Sequence, residues 1–149
     1  MASLNPILLV EDNPKDLELT LAALGKCQLA NEIIAARDGA EAIDYLYSQG
    51  AYANRKPGEP AVVLLDLKLP KIDGLEVLER IKKDPVRRQI PVVMLTSSRE
   101  ERDLVRSYEL GVNAFVVKPV DFNAFFEAIQ DLGMFWAILN EPPPRFRNG

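Results

Sequence analysis

Short unbroken apolar runs alternate along this chain with segments whose apolar residues recur every three or four positions. Ile7-Leu-Leu-Val10, Val62-Val-Leu-Leu65 and Val92-Val-Met-Leu95 are too short for typical helices and carry no polar alternation, as expected of strands covered on both faces. Glu32-Ile-Ile-Ala-Ala36 and Ala114-Phe-Val-Val117 are two further strand candidates. The segments between them read as helices. Leu17, Leu21 and Leu24 form one apolar stripe, and Ala42, Ile43 and Leu46 form another behind the turn signal Asp38-Gly39. Leu75, Leu78 and Lys82 follow Asp73, a suitable N-cap, and Pro85 closes that segment. Leu104, Val105 and Tyr108 belong to the next helix, with Gly111 as its stop. A last, extended helix runs from about Asp121 to Leu139, before Pro142-Pro-Pro144.

Strands alternating with five helices predict an α/β domain, doubly wound, with a five-stranded parallel sheet joined by right-handed crossovers. The domain is expected over 1–140 and a Pro-rich tail over 141–149. The Ser48 to Pro60 segment is longer than a usual helix-to-strand connection and reads as an exposed loop.

Composition narrows the chemistry. A chain of 149 residues suits one domain, and a net charge of −4 argues against a general nucleic-acid binder. The lone cysteine, Cys27, cannot form an internal disulfide, and neither a secretion signal nor a membrane span is evident, so a cytoplasmic protein is expected. The chain has no histidine, which removes Ser/His/Asp and Cys/His triads, imidazole metal ligands and an internal phosphohistidine. Any metal site must then use oxygen donors, which favours hard cations such as Mg²⁺.

The polar residues just beyond the strands are more specific. Ligands of open parallel sheets collect at the carboxyl ends of the strands, and there stand Glu11 and Asp12, Asp66, Thr96 and Lys118. Each has an ordinary explanation taken singly, such as a turn, a helix cap or a surface charge. Together, on one edge, they suit phosphoryl transfer to an aspartate: clustered carboxylates call for a divalent ion, and a hydroxyl and a lysine would receive phosphoryl oxygens.

The runs Val10-Glu-Asp-Asn-Pro14, Leu65-Asp-Leu-Lys-Leu-Pro-Lys-Ile-Asp-Gly74, Leu95-Thr-Ser97 and Val117-Lys-Pro119 resemble, in order and spacing, the signature of response-regulator receiver domains over about Pro6 to Asp131. The resemblance implies the flavodoxin-like strand order 2-1-3-4-5. It also implies that Asp66 accepts a phosphoryl group from a sensor histidine kinase. On the same resemblance Glu11, Asp12, Asp66 and the backbone carbonyl of Lys68 hold Mg²⁺, and Thr96 and Lys118 bind the phosphoryl oxygens. Thr96 and Phe115 are the implied switch pair, with Phe115 where many relatives carry tyrosine. Such a protein is a signalling partner more than an enzyme, with self-phosphorylation and autodephosphorylation as its own chemistry.

A stand-alone receiver with no DNA-binding or catalytic module beyond Leu139 is expected, with a protein interface as its output. Phe122, Phe125, Ile129, Leu132 and Trp136 form a core stripe of the last helix, while Met134, Phe135, Ile138 and Leu139 carry apolar character around it. A homodimer through the fourth helix, fifth strand and fifth helix is favoured, with Tyr108, Phe126, Phe135, Trp136 and Leu139 as contact residues. The long second-helix loop, the Tyr108-Glu-Leu-Gly-Val-Asn-Ala114 stretch and the Phe135-Trp136 ending are similar to the small regulators paired with cyanobacterial and bacterial phytochromes. Two alternatives remain: a phosphorelay intermediate, and a Mg²⁺-dependent phosphohydrolase with an aspartate nucleophile. The second wants an acidic residue two positions after Asp66, where Lys68 stands, and a cap for substrate.

Overall fold

The computed structural model describes residues 5–26, 31–56, 58–97, 106–118, 120 and 122–131. In chain order these form β1 (Ile7–Val10), α1 (Pro14–Gly25), β2 (Ile33–Ala36), α2 (Gly39–Leu46), a 3₁₀ turn (Gly50–Tyr52), β3 (Val62–Asp66), α3 (Gly74–Lys83) and β4 (Val92–Thr96). A helical segment at residues 106–109, α4, precedes β5 (Ala114–Val117) and α5 (Phe122–Asp131). The five strands are parallel in the order β2-β1-β3-β4-β5.

Period-two alternation divides each central strand between two cores. Leu8, Val10, Val63, Leu65, Val92 and Met94 meet α2 and α3 on one face, while Ile7, Leu9, Val62, Leu64, Val93 and Leu95 meet Leu17 and Leu24 of α1 and Phe125 of α5 on the other. Both faces are covered, so neither could carry polar residues, and the strands read as continuous apolar runs.

The helices follow the expected pattern with two corrections. On α1 the buried arc is Leu17, Thr20, Ala23 and Leu24, and Leu21 is 37% exposed. At 100° per residue Leu21 lies outside the arc joining Leu17, Thr20 and Leu24, so hydrophobicity alone misassigned it. On α3, Asp73 occupies the N-cap position without a side-chain capping bond, and the buried face is Gly74, Val77, Leu78 and Ile81. Gly74 is there for space. A Cβ at this position would overlap the backbone carbonyl oxygens of Asp66 and Leu67, so glycine lets α3 start directly against the end of β3.

The end of α4 is a Schellman motif. Gly111, at φ +96°, donates its N–H to the Tyr108 carbonyl at 3.1 Å, and Val112 donates to Ser107 at 3.0 Å. Asn113 then fixes β5, accepting the Val92 N–H on its side-chain oxygen at 2.8 Å while donating its own N–H to the Val92 carbonyl at 3.0 Å.

The described residues of the Ser48 to Pro60 segment are mostly exposed, as expected, and side-chain contacts tie part of the segment to α2. The Arg55 guanidinium lies over the Tyr45 ring at 4.2 Å and donates to the Tyr45 carbonyl at 2.6 Å, and Tyr52 meets Tyr45 edge-on at 5.1 Å. Tyr52 also donates its hydroxyl to Glu41 at 2.6 Å; burial first, and then this carboxylate, push its phenol up to about 12. Asp38 caps α2 by accepting the Glu41 N–H at 2.7 Å and pairs with Lys71 at 3.3 Å, which ties the start of α2 to the loop after β3. Packed tyrosines with a stacked cation each contribute about 0.5–1.5 kcal/mol, which holds the segment down.

Of the residues assigned to an intermolecular surface, Tyr108 is 63% exposed and lies edge-on to Phe115 at 5.3 Å, and Phe126 is half-buried. Phe135, Trp136 and Leu139, the continuation of the last helix toward Leu139, Leu104, Val105 and the tail from 141 lie outside the described residues.

Gly74→Ala is expected to lower the urea midpoint, with a loss of about 1–3 kcal/mol from the forced shift of α3. Leu21→Ser should change stability by no more than about 0.5 kcal/mol. Equal losses for the two variants would contradict these packing assignments.

Candidate functional site

Strand register builds the site. β1 and β3 pair Val10 with Leu65, so the next residues, Glu11 and Asp66, come side by side at the carboxyl edge. β3 and β4 pair Asp66 with Leu95, and β4 and β5 pair Thr96 with Val117, which brings Lys118 one step further along. The ladder continues past the strands: Glu11 donates its N–H to Ala36 at 2.9 Å, and Lys118 donates to Thr96 at 2.9 Å. Backbone hydrogen bonds therefore hold these positions as firmly as the sheet.

Alternation then aims the side chains. Glu11, Asp66 and Lys118 share the parity of Leu9, Leu64 and Val116, which face α1 and α5. Their charged groups meet on that side. Lys118 Nζ lies 2.7 Å from Glu11 Oε1, 3.1 Å from Asp66 Oδ2 and 3.1 Å from Asp16 Oδ2. Asp66 Oδ1 accepts the Lys68 N–H at 3.3 Å, and Glu11 Oε2 accepts the Asn13 N–H at 3.2 Å. Apart from its ion pair, Glu11 Oε1 has no hydrogen-bond partner among the described residues.

The charge balance is uneven. Glu11 is 0% exposed and Asp66 6%, and both carboxylates share Lys118. Burial, the largest cause, and the neighbouring Asp66 carboxylate push the Glu11 carboxyl up to about 7, against the pull of Lys118. Burial opposes the charge on Lys118, but its bonds to Glu11 and Asp16 and the field of Asp66 outweigh it and raise the ammonium pKa. Lys118 stays charged, and Glu11 is the group that titrates near neutrality. Glu11 keeps its proton in the fold at pH values where the unfolded chain has lost it. Its contribution to stability therefore declines as pH rises from about 4.5 to about 7.

A bound cation would relieve that repulsion. Glu11, Asp12 and Asp66 each offer a carboxylate oxygen, all within 4.8 Å of one another. This all-oxygen donor set is of the kind that would hold a hard divalent ion.

The expected residues thus fall into two groups. Glu11, Asp12, Asp66 and Lys118 come together. Thr96 is buried at the end of the adjacent strand, and Lys68 is exposed with its N–H on Asp66. Phe115 lies apart from them, half-buried against the α2/α3 core and the Tyr108 ring. Asp16 was not anticipated from the sequence. The available signal was its spacing, four residues after Asp12 on a helix starting at Pro14, which puts it one turn above the same edge.

Residues 7–130 match the family model for the response regulator receiver domain. The chain belongs to that family. Receivers are signalling proteins, and the family uses an aspartate as phosphoryl acceptor. The response regulator Rcp1 of Synechocystis sp. is 43% identical over 130 residues, 87% of each chain. Its Mn²⁺-bound structure is similar to this receiver with a TM-score of 0.74 and 42% identity, covering 89% of this chain and 94% of that one. The bacteriophytochrome response regulator AtBRR is similar at a TM-score of 0.86 and 75% identity, covering 94% of this receiver and 100% of its own chain. The phosphorylated cyanobacterial phytochrome response regulator RcpA is similar at 0.74 and 42%, covering 89% and 94%. No helix among the described residues of this receiver is long and apolar enough to cross a membrane.

Divalent-cation binding is expected to displace the Glu11 proton. Calorimetric titration with Mn²⁺ should show affinity rising by up to about tenfold per pH unit below pH 7 and levelling above it. Glu11→Gln should weaken binding and flatten that dependence. A pH-independent wild type would contradict the assignment.

Proposed function

We propose that this receiver takes a phosphoryl group on Asp66 from the phosphohistidine of a phytochrome-type sensor kinase, works in the cytoplasm, and signals through a protein interface. The observation carrying this reading is the buried triad of Asp66, Glu11 and Lys118, with Lys118 Nζ 3.1 Å from the Asp66 carboxylate. The names of the phytochrome-associated relatives supply the kinase class.

In the transfer an Asp66 carboxylate oxygen forms a bond to phosphorus as the P–N bond of the donor imidazole breaks. The electron pair leaves on the ring nitrogen, which takes a proton. Lys118 would meet the growing charge on the phosphoryl oxygens, and Thr96, at the neighbouring strand end, would donate its hydroxyl to one of them. Mg²⁺, held by Glu11, Asp12, Asp66 and the Lys68 carbonyl, would offset the charge of donor and product. Glu11 and Lys118, both largely buried, exclude bulk water from one side of the acceptor.

Movement of Thr96 toward the phosphoryl group would leave space for Phe115, three residues before Lys118, to turn inward from the Tyr108 ring. That change would reach a homodimer surface on α4, β5 and α5, with Tyr108 and Phe126 in the described part and Phe135, Trp136 and Leu139 beyond it. The receiver unit would span 1–140 and the tail 141–149. Self-phosphorylation from small donors and autodephosphorylation belong to the same reading.

Phosphotransfer from a phytochrome-type kinase should give an acid-stable, alkali-labile, metal-dependent label in the wild type and none in Asp66→Asn. Lys118→Ala should slow labelling roughly a hundredfold. A full label in Asp66→Asn would sink the assignment. Sedimentation showing a monomer at high concentration, with and without beryllofluoride, would remove the dimer.

A further inference from the structure

An ammonium group has three N–H donors and accepts nothing, and in this receiver the three oxygens of Glu11, Asp66 and Asp16 surround Lys118 Nζ at 2.7, 3.1 and 3.1 Å. Asp16 and Asp66 accept hydrogen bonds from this ammonium and Glu11 adds a close ion pair, so a phosphoryl oxygen on Asp66 must compete with these partners for Lys118. The three are not equally free to leave. Glu11 is wholly buried at the end of β1, and Asp66 is the residue the phosphoryl group would occupy. Asp16 is on the first turn of α1, its side chain 36% exposed against 9% for Lys118, so water can replace the lysine at small cost.

The geometry points to Asp16 as a positioning residue that tethers Lys118 to α1 and limits how readily its ammonium reaches a phosphoryl oxygen on Asp66. This rests on the reading of Asp66 as the phosphoacceptor and adds a brake to it. Asp16 touches neither donor nor acceptor and acts through Lys118. Its backbone N–H is engaged separately, donating to the Asn13 side chain at 3.0 Å, so the carboxylate can swing without disturbing the start of the helix.

The test uses the full chain, saturating Mg²⁺ and acetyl phosphate as donor. An Asp66 oxygen bonds to phosphorus, the P–O bond to the acetyl group breaks, and acetate leaves with the electron pair. Asp16→Asn should take up the phosphoryl group about two- to tenfold faster than wild type, and Asp16→Glu should restore the slow rate. Glu18→Gln, an exposed charge change on the same helix, should leave the rate unchanged. In a Lys118→Ala background Asp16→Asn should give no gain, because no ammonium remains to be released. Equal or slower uptake by Asp16→Asn, or a gain that persists without Lys118, would overturn the tether. A wild type that incorporates no phosphoryl group at Asp66 would instead overturn the reading of the acceptor beneath it.

Discussion

Carboxylates gather at one edge of this sheet faster than positive charge does. Glu11, Asp12 and Asp66 converge because parallel strands in register end together, and Asp16 joins them from the first turn of α1. Within this cluster the Lys118 ammonium bridges the oxygens of Glu11, Asp16 and Asp66. Burial and the Asp66 carboxylate push the Glu11 pKa up to about 7, and the surrounding carboxylates keep Lys118 charged against its own burial. A cation held by Glu11, Asp12 and Asp66 would relieve a repulsion that the fold has already imposed.

That imposition depends on backbone. The hydrogen bonds of Glu11 and Lys118 extend the ladder past the last strand residues, and Gly74 lets α3 begin against the carbonyls of Asp66 and Leu67. Period-two alternation then sends three of the charged side chains to the α1 and α5 face, with Phe115 on the other. Phosphoryl chemistry and its readout would therefore stand on opposite faces of the sheet, with Thr96 at the strand end between them.

Much of this was legible in the sequence for physical reasons. Ile7–Val10 has its observed limits in the sequence because a doubly covered strand has no polar residue to blur the pattern, and Ala114–Val117, a half-buried edge strand, shares them because its apolar run is uninterrupted. Thr96 closes its strand as expected, while Asp66 is the last residue of β3 and not the first beyond it, because the backbone ladder still pairs there. Leu21 was misread because an apolar residue at the margin of a helical stripe looks the same as one at its centre. Asp16 was passed over because its partner is 102 positions away, and no local pattern announces a pair closed by tertiary folding. Glycines and polar residues mark the loop after α2 as exposed, and no local pattern announces that Tyr45, Tyr52 and Arg55 meet in space.

That loop also constrains how the chain can diversify. Glu41 gives one oxygen to the Tyr52 hydroxyl and the other to the Arg37 N–H, and its own N–H sits on Asp38, which holds Lys71 beyond β3. Lengthening or shortening the connection would move Tyr52 off Glu41 and leave a half-buried carboxylate looking for a donor. The segment that looks most tolerant of insertion is thus tied to the identity of position 41. A graft or tag placed there would be felt at the start of α2, one ion pair from the loop that follows Asp66.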